Sequence, residues 1–462
     1  MGVIVILMTL FCWIMKYPLV LSLFLLYLGL HLISSQKLGY KILIDLGLLV
    51  TLCIFVCHIA FYYTSIAPFY TPIAAFSMLA MLLFNNLHVT FMMAVATSVF
   101  AGVILGGSFS TMIIFFLGSL TGAYSVRNAR TRGQLFAAGL FVSLIQVVCL
   151  ILLYPQLDLF ITRNFLFDKL YPLAVNGLIA TLTVAATLKI FEYLFGVLTN
   201  FSLLELSDFN HPLLKRMIME APGTYHHSLV VSNLAEAAAN AIEANALLTR
   251  VGAYYHDIGK LSRSQYFTEN QLVEGNAHDK IEPSMSRLVI LNHVTEGVEL
   301  AKKYKLNQAI IDFIPQHHGT SIIHYFHQRA VEAAEDGEEV KEENFRYPGP
   351  KPQTRETAIT LLADSVEGAT RALDEHTPAN IEETVKKVIN NKFIDGQLDE
   401  CNLTLKEIEK ISATFVRILT AMYHTRIKYP EKKNGNSSRK SSFNDSAQHS
   451  TNPENHQGHS SS

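Results

Sequence analysis

What this chain lacks narrows its class before any motif does. Cysteine is scarce: five in 462 residues (Cys12, Cys53, Cys57, Cys149 and Cys401), four of them inside apolar segments. They form neither a disulfide framework nor a zinc-ligand spacing, which excludes a stapled secreted scaffold and fits a reduced, intracellular C-terminal half. Charge is scarce in one place. Overall 16% of residues are charged against 50% hydrophobic, but residues 1–200 carry only scattered charges while 205–430 read as an ordinary soluble protein. The net charge of −2 averages two unlike halves, so it argues for no nucleic-acid partner, and none is expected. The apolar half also lacks carboxylate pairs and discontinuous repeats, which leaves a transporter without a polar pathway.

What that half does have is apolar runs, at about 17–33, 42–63, 69–84, 89–106, 109–126, 135–154 and 171–190. Most approach the ~20 residues that cross the hydrocarbon core as a helix. The third and fourth are separated only by Asn85-Asn86-Leu87-His88, either a tight hairpin or a break in one element. A run at 2–15 is short, and no small-residue cleavage pattern follows it as a signal peptide would require. Lys37 and Lys41 fall in one short loop and Arg127, Arg130 and Arg132 in another, four crossings later and so on the same side. The positive-inside rule makes that side cytoplasmic. Two further crossings around the 155–170 loop bring the chain back to the cytoplasm near residue 190, so a multi-pass cell-membrane protein with a cytoplasmic soluble half is expected. Asp45 and His58, in or near the second helix, read as helix-end or bundle-facing polar residues.

The expected division is a short apolar segment over 1–16, a seven-helix transmembrane domain over 17–195, a junction over 196–224, a helical domain over 225–430 and a disordered tail over 431–462. The tail is Ser, Asn, His, Lys and Gln with almost nothing apolar. Within the domain the periodicity is helical throughout, with helices expected at 225–243, 246–257, 281–303, 306–317, 355–373, 379–392 and 404–427. The fold class is therefore all-α: a polytopic transmembrane bundle followed by a helical domain. Thr224, in Ala221-Pro222-Gly223-Thr224, is placed to cap the helix opening at Tyr225. The Glu-rich and Pro-rich section 331–353 reads as a rim or lid.

The chemistry starts at Tyr255-His256-Asp257-Ile258-Gly259-Lys260, where an apolar helix ends in adjacent His and Asp. Tyr225-His226-His227-Ser228, His293, His317-His318-Gly319 and Asp364 likewise fall in or at the end of apolar helices. One histidine on an apolar face is ordinarily a satisfied core residue. A whole set facing one helical core would each need a partner, and a shared metal centre satisfies them together. Imidazole and carboxylate without thiolate suit Fe, Mn or Zn in a working site and argue against a structural zinc. Asp257 can bridge two ions while His256 ligates one, and two ions ~3.5–4 Å apart form the usual clamp for phosphoester hydrolysis. Lys260 either reaches a phosphate as a point charge or simply complements a helix C-terminus. Asn276-Ala277-His278-Asp279-Lys280 is a loop that touches substrate or is merely a surface turn. Pro315, two residues before His317, either aims the tandem histidines by a kink or ends their helix early.

His227, His256-Asp257, His293, His317-His318 and Asp364 together resemble the HD superfamily of metal-dependent phosphohydrolases in its two-metal branch. Glu205-Leu206-Ser207-Asp208, His211-Pro212-Leu213-Leu214, Ala221 to Ser228, Phe345-Arg346-Tyr347-Pro348-Gly349-Pro350-Lys351-Pro352 and Asp395-Gly396-Gln397-Leu398 resemble, more narrowly, the membrane-anchored seven-transmembrane HD family of PgpH-type cyclic di-AMP phosphodiesterases. The resemblance implies hydrolysis of cyclic di-AMP to linear pApA with two divalent ions, Mn²⁺ or Fe²⁺, iron being open to mixed valence. It implies one ion held by His227, His256, Asp257 and Asp364, and another by Asp257, His293, His317 and His318; Asp257 and Lys260 are expected as catalytic residues, Lys260 from its position a turn beyond the His-Asp pair. The partners it implies are a cyclic dinucleotide, the lipid bilayer and a second copy of the chain in a homodimer. Members of the family commonly carry a large extracellular domain; here the chain is expected to open almost directly on the bundle, with the 2–15 run read as a short apolar segment or a remnant anchor.

Overall fold

The computed structural model describes residues 40–105, 108–154, 165–271, 278, 281, 283–333 and 340–423. The 1–16 segment, the 17–33 run, most of the loops at 155–170 and 276–280, and the 431–462 tail lie outside the described residues. The bundle consists of α1 (Tyr40–Tyr62), a 3-10 turn (Pro68–Tyr70), α2 (Ile73–Phe84), α3 (Leu87–Ile104), α4 (Phe109–Val126), α5 (Arg132–Leu153) and α6 (Tyr171–Phe195, entered through a π-turn at Leu166–Leu170). Five of its helical stretches are long and apolar enough to cross a membrane: Lys41–Tyr62, Leu87–Ile104, Phe109–Val126, Arg132–Leu153 and Leu166–Phe195. This is a polytopic membrane protein. At 12 residues α2 is shorter, and together with the preceding 3-10 turn it makes the shorter apolar element Pro68–Phe84.

Local chemistry sets the turns. Asn85 adopts the left-handed conformation (φ 45°) that ends α2, and the Asn86 side chain accepts from the His88 and Val89 amides to open α3. The polar patch is thus a hairpin between two helices. In the arginine-bearing loop, Gln134 Oε1 accepts from the Arg130 and Thr131 amides at 2.6 and 3.1 Å, completing a capping box on α5. With no hydrophobic drive between helices in lipid, close backbone approach does the packing. A Cβ on Gly177 of α6 would stand 1.8 Å from the Gly139 carbonyl of α5, and Thr181 donates to the Leu135 carbonyl at 3.1 Å. Asn176 ties the 3-10 turn to α6 by donating to the Phe69 and Thr71 carbonyls, both at 2.9 Å. Asp45 is buried within the bundle, while the His58 ring packs at a tilt against Tyr62 with ring centroids 4.5 Å apart.

The junction is a buried polar knot. Gly196 (φ 63°) ends α6. The Glu192 carboxylate turns back to accept from the Thr199 amide at 3.2 Å, from the Thr199 hydroxyl and from Ser202 Oγ at 2.7 Å. This fixes α7 (Asn200–Leu206) against the end of α6. The Leu206 carbonyl then accepts from the Tyr255 hydroxyl at 2.7 Å, joining the junction to the residue before His256.

The remaining helices are α8 (Pro212–Glu220), α9 (Pro222–Ala241), α10 (Ala246–Tyr255), α11 (Pro283–Lys303), α12 (Gln308–Ile311), α13 (Phe313–Gln316), α14 (His324–Ala333), α15 (Arg355–Arg371), α16 (Pro378–Ile394) and α17 (Leu405–Met422). The domain is all-helical; among the described residues strand pairing is limited to one isolated bridge, Ile322 with Arg346. Three local expectations are corrected. Thr224 does not cap: α9 already begins at Pro222, and the Thr224 amide is satisfied from outside by Asn270 Oδ1 at 3.1 Å. The helix before the tandem histidines is split at Asp312 into two four-residue pieces, because Pro315 has no N–H with which to continue the i→i−4 ladder. And α14 falls where no helix is expected, since Tyr325 and Val331 are exposed beside buried Phe326, leaving no clean apolar stripe to read.

Candidate metal centre

Four helices and one loop turn deliver the chemistry. His227 projects from the second turn of α9, and His256 caps the C-terminus of α10 with Asp257 beside it. His293 lies mid-α11, His317 and His318 follow α13, and Asp364 lies mid-α15. Each side chain is buried except His318 and Asp364, which are partly open.

The histidines are oriented by a repeated device. Nδ1 of His256 donates to the Ala253 carbonyl at 2.7 Å and Nδ1 of His317 to the Ile314 carbonyl at 2.6 Å, each three residues back; His293 does the same to Ile290. That fixes the tautomer and leaves Nε2 as a lone-pair donor facing inward. Those three Nε2 atoms and Asp257 Oδ1 are buried with no hydrogen-bond partner. Orphaned buried polar atoms are costly, and these converge, so the donor set fits divalent ions.

Asp257 sits between two groups. Its Oδ2 is 3.2 Å from His256 Nε2 and 3.5 Å from His227 Nε2; its Oδ1 is 3.5 Å from both His293 Nε2 and His317 Nε2. Asp364 spans in the same sense, with Oδ1 3.0 Å from His227 Nε2 and Oδ2 3.7 Å from His318 Nδ1. Two clusters of ligand atoms result, Asp257 with His293, His317 and His318, and His227 with His256 and Asp364. All seven residues singled out in the sequence as ligands therefore meet at one place.

Three participants were not visible in the sequence as such. Glu367 accepts from His227 Nδ1 at 2.7 Å, replacing the backbone carbonyl used by His256, His293 and His317. It lies one turn beyond Asp364 on α15, a spacing that carries a side chain to the same face. Glu269 shares the Lys260 ammonium with Asp257, each at 2.8 Å. Lys260 is thereby committed to two carboxylates. Gly259 allows the loop to meet α11: a Cβ there would lie 1.7 Å from the His293 carbonyl. His278 is buried, its ring 5.2 Å from Phe326 and 5.8 Å from Tyr266.

The electrostatics match a cation site. Burial alone would raise the Asp257 carboxyl, but Lys260 and His256 hold it well below its ordinary value. Burial works against the Lys260 charge, yet Asp257 and Glu269 hold its ammonium above the usual lysine range. Burial pushes His293 down to about 4, and burial with His317 alongside pushes His318 well down. His227 differs: hydrogen bonds to Asp364 and Glu367 outweigh burial and hold it up at about 10. Ionised carboxylates and neutral imidazoles are the forms that bind metal.

A membrane bundle joined to a helical domain with this His/Asp centre is an arrangement that comparison with known proteins matches in both of its parts. The sequence profile described as "7TM receptor with intracellular HD hydrolase" matches residues 4–199, and that of the HD domain matches 224–369. The Cyclic-di-AMP phosphodiesterase PgpH of Bacillus subtilis is 39% identical over 365 residues, covering 78% of this chain and 51% of the relative. That of Listeria monocytogenes is 43% identical over 326 residues, covering 70% and 44%. A solved structure of the L. monocytogenes PgpH HD domain in complex with cyclic-di-AMP is 50% identical and covers 47% of this chain and 100% of its own, with a TM-score of 0.45. The chain is homologous over part of its length to the seven-transmembrane HD, PgpH-type phosphodiesterases. It spans about half the length of the curated relatives it matches.

Proposed function

We propose that this chain hydrolyses cyclic di-AMP to linear pApA with two divalent ions at the cytoplasmic face of the membrane. The observation that carries the reading is Asp257, whose two oxygens face two separate sets of inward imidazole nitrogens. On this reading His227, His256, Asp257 and Asp364 hold one ion, and Asp257, His293, His317 and His318 the other. The ions, when bound, supply the nucleophile and neutralise charge developing on the phosphoryl oxygens. The all-nitrogen-and-oxygen donor set suits Mn²⁺ or Fe²⁺ as it would Zn²⁺, and the choice of Mn²⁺ or Fe²⁺ rests on the resemblance to the PgpH-type family. The chain's own residues hold that arrangement rigid. Backbone carbonyls and Glu367 fix the imidazoles of His227, His256, His293 and His317, and Lys260, bonded to Asp257 and Glu269, acts through Asp257 by keeping its carboxylate ionised and in place. The similarity to the two cyclic-di-AMP phosphodiesterases supports this substrate, and the loop arginines Arg127, Arg130 and Arg132, with the intracellular HD hydrolase of the matching profile, support the cytoplasmic side.

The test uses the full chain in detergent, loaded with Mn²⁺ or Fe²⁺ and given cyclic di-AMP, with chromatography for pApA. Absence of product from folded, metal-loaded protein overturns the proposal. Cyclic di-GMP in a parallel arm separates cyclic di-AMP from another cyclic nucleotide, because two-metal chemistry is indifferent to the base. Asp257→Ala and His256→Ala are expected to abolish turnover while the domain stays folded.

A further inference from the structure

A cyclic dinucleotide carries two phosphates, and the metal centre accounts for one. The cations around that centre are mostly spent. Lys260 is bonded to Asp257 and Glu269. Arg346 forks onto both Asp395 oxygens at 3.2 and 2.9 Å and donates to the Thr320 carbonyl at 2.9 Å. Arg371 is 3.3 Å from Glu367.

Lys392 differs from these three. It lies in the last turn of α16, where a basic residue ordinarily just complements the helix dipole. Its side chain instead runs to the segment after the tandem histidines, donating to Ser321 Oγ at 2.7 Å. Among the described residues no carboxylate forms an ion pair with it, so its partner is a neutral hydroxyl. Ser321 belongs to the wall of the centre: its amide donates to the His318 carbonyl at 3.1 Å, and its carbonyl accepts from the Tyr347 amide at 3.0 Å. The Tyr347 ring in turn stacks on His318 at 4.1 Å. Burial pushes the Lys392 ammonium down from its ordinary value, with Asp364 and Asp395 pulling the other way. A half-buried ammonium one hydroxyl removed from a metal-ligand loop, without a counter-ion of its own, is a place for an anion.

Resting on the phosphodiesterase reading above, we propose that Lys392 binds the non-reacting phosphate of the cyclic dinucleotide and so sets the ring with its other phosphate at the Asp257 centre. Lys392 is a positioning residue for the reaction. Its contribution should appear in KM with two-phosphate substrates and vanish with a substrate that has one.

The test compares full-length, Mn²⁺-loaded wild type with Lys392→Gln, Lys392→Met and Lys392→Arg on cyclic di-AMP and on bis(p-nitrophenyl) phosphate, a single phosphodiester. Lys392→Gln keeps a donor for Ser321, so it covers the case in which Lys392→Met does not fold. The expected result is a KM for cyclic di-AMP raised about ten- to a hundredfold in the neutral variants. The expected kcat changes by less than about threefold, hydrolysis of the single diester is unaltered, and Lys392→Arg behaves much as wild type. Unchanged KM, equal losses on both substrates, or an arginine variant as impaired as the glutamine variant overturns the assignment. Wild type that cleaves the single diester but no cyclic dinucleotide fails differently: it removes the substrate reading and this inference with it.

Discussion

Glu367 Oε2 stands 2.7 Å from His227 Nδ1, while the other ring nitrogen of His227 faces Asp364 at 3.0 Å. His227 is thereby clamped between two carboxylates on one face of α15. Histidines 256, 293 and 317 rely on carbonyls of their own helices instead.

Removing that clamp should weaken metal binding without touching a ligand. Glu367→Gln keeps the shape but loses the charge that orients and enriches His227. Metal affinity at the His227 cluster is expected to fall roughly 10–100-fold. Competition against a calibrated chelator measures it, and unchanged affinity would show that His227 needs no carboxylate behind it.

The two clusters should differ in the protons they release. In the metal-free protein His227 is held up at about 10 and so carries a proton at neutral pH, whereas His293, pushed down to about 4, is already neutral. Loading metal is expected to expel roughly one proton from His227 and none from His293. Calorimetric titration in buffers of different ionisation enthalpy counts it, and a release near zero at pH 7 contradicts the assignment.

The same shifts fix how the metal-free protein responds to pH. For His227, whose folded value lies above the ordinary ~6.5, the stabilising contribution is fully present below ~6.5 and is lost as pH rises toward about 10. For His293, whose folded value lies below it, the unfolded chain takes up the proton first, so stability falls as pH drops from ~6.5 to about 4. Melting in chelator should therefore show a maximum near neutrality, with Tm declining on both sides.

Gly259→Ala should damage one cluster through packing alone. The added methyl would lie 1.7 Å from the His293 carbonyl and 2.6 Å from the Gly297 amide, so the loop and α11 must separate. A loss of about 2 kcal/mol or more is expected from overpacking. Because His293 rides on α11, metal content per chain should also drop. Full occupancy with an unchanged Tm would rule this contact out as a constraint.

Asn270→Ala tests the external cap on α9. Its side chain accepts from the Thr224 amide at 3.1 Å and donates to Thr224 Oγ1 at 2.8 Å. Losing both should cost about 1 kcal/mol and speed amide exchange at Thr224. Exchange unaltered from wild type would mean that water replaces the cap at no cost.

Much of this protein is written locally. Apolar runs of membrane length, the 3.6-residue periodicity of the soluble half and the residue types at 227, 256, 257, 293, 317, 318 and 364 can each be read in place, because propensity, transfer energy and ligand chemistry belong to single residues or short windows. The sequence alone therefore determined an all-helical membrane protein and named seven residues that converge in a candidate metal centre. It could not say that Lys260 would be held by Glu269, that Glu367 would stand behind His227, or that Gly259 would lie against His293. Those depend on which surfaces meet when residues far apart in the chain pack, and a lysine carries no local mark of its partner. Only the tertiary structure decided that Asp257 turns one oxygen to each set of imidazoles, because only packing sets the direction of a carboxylate between helices.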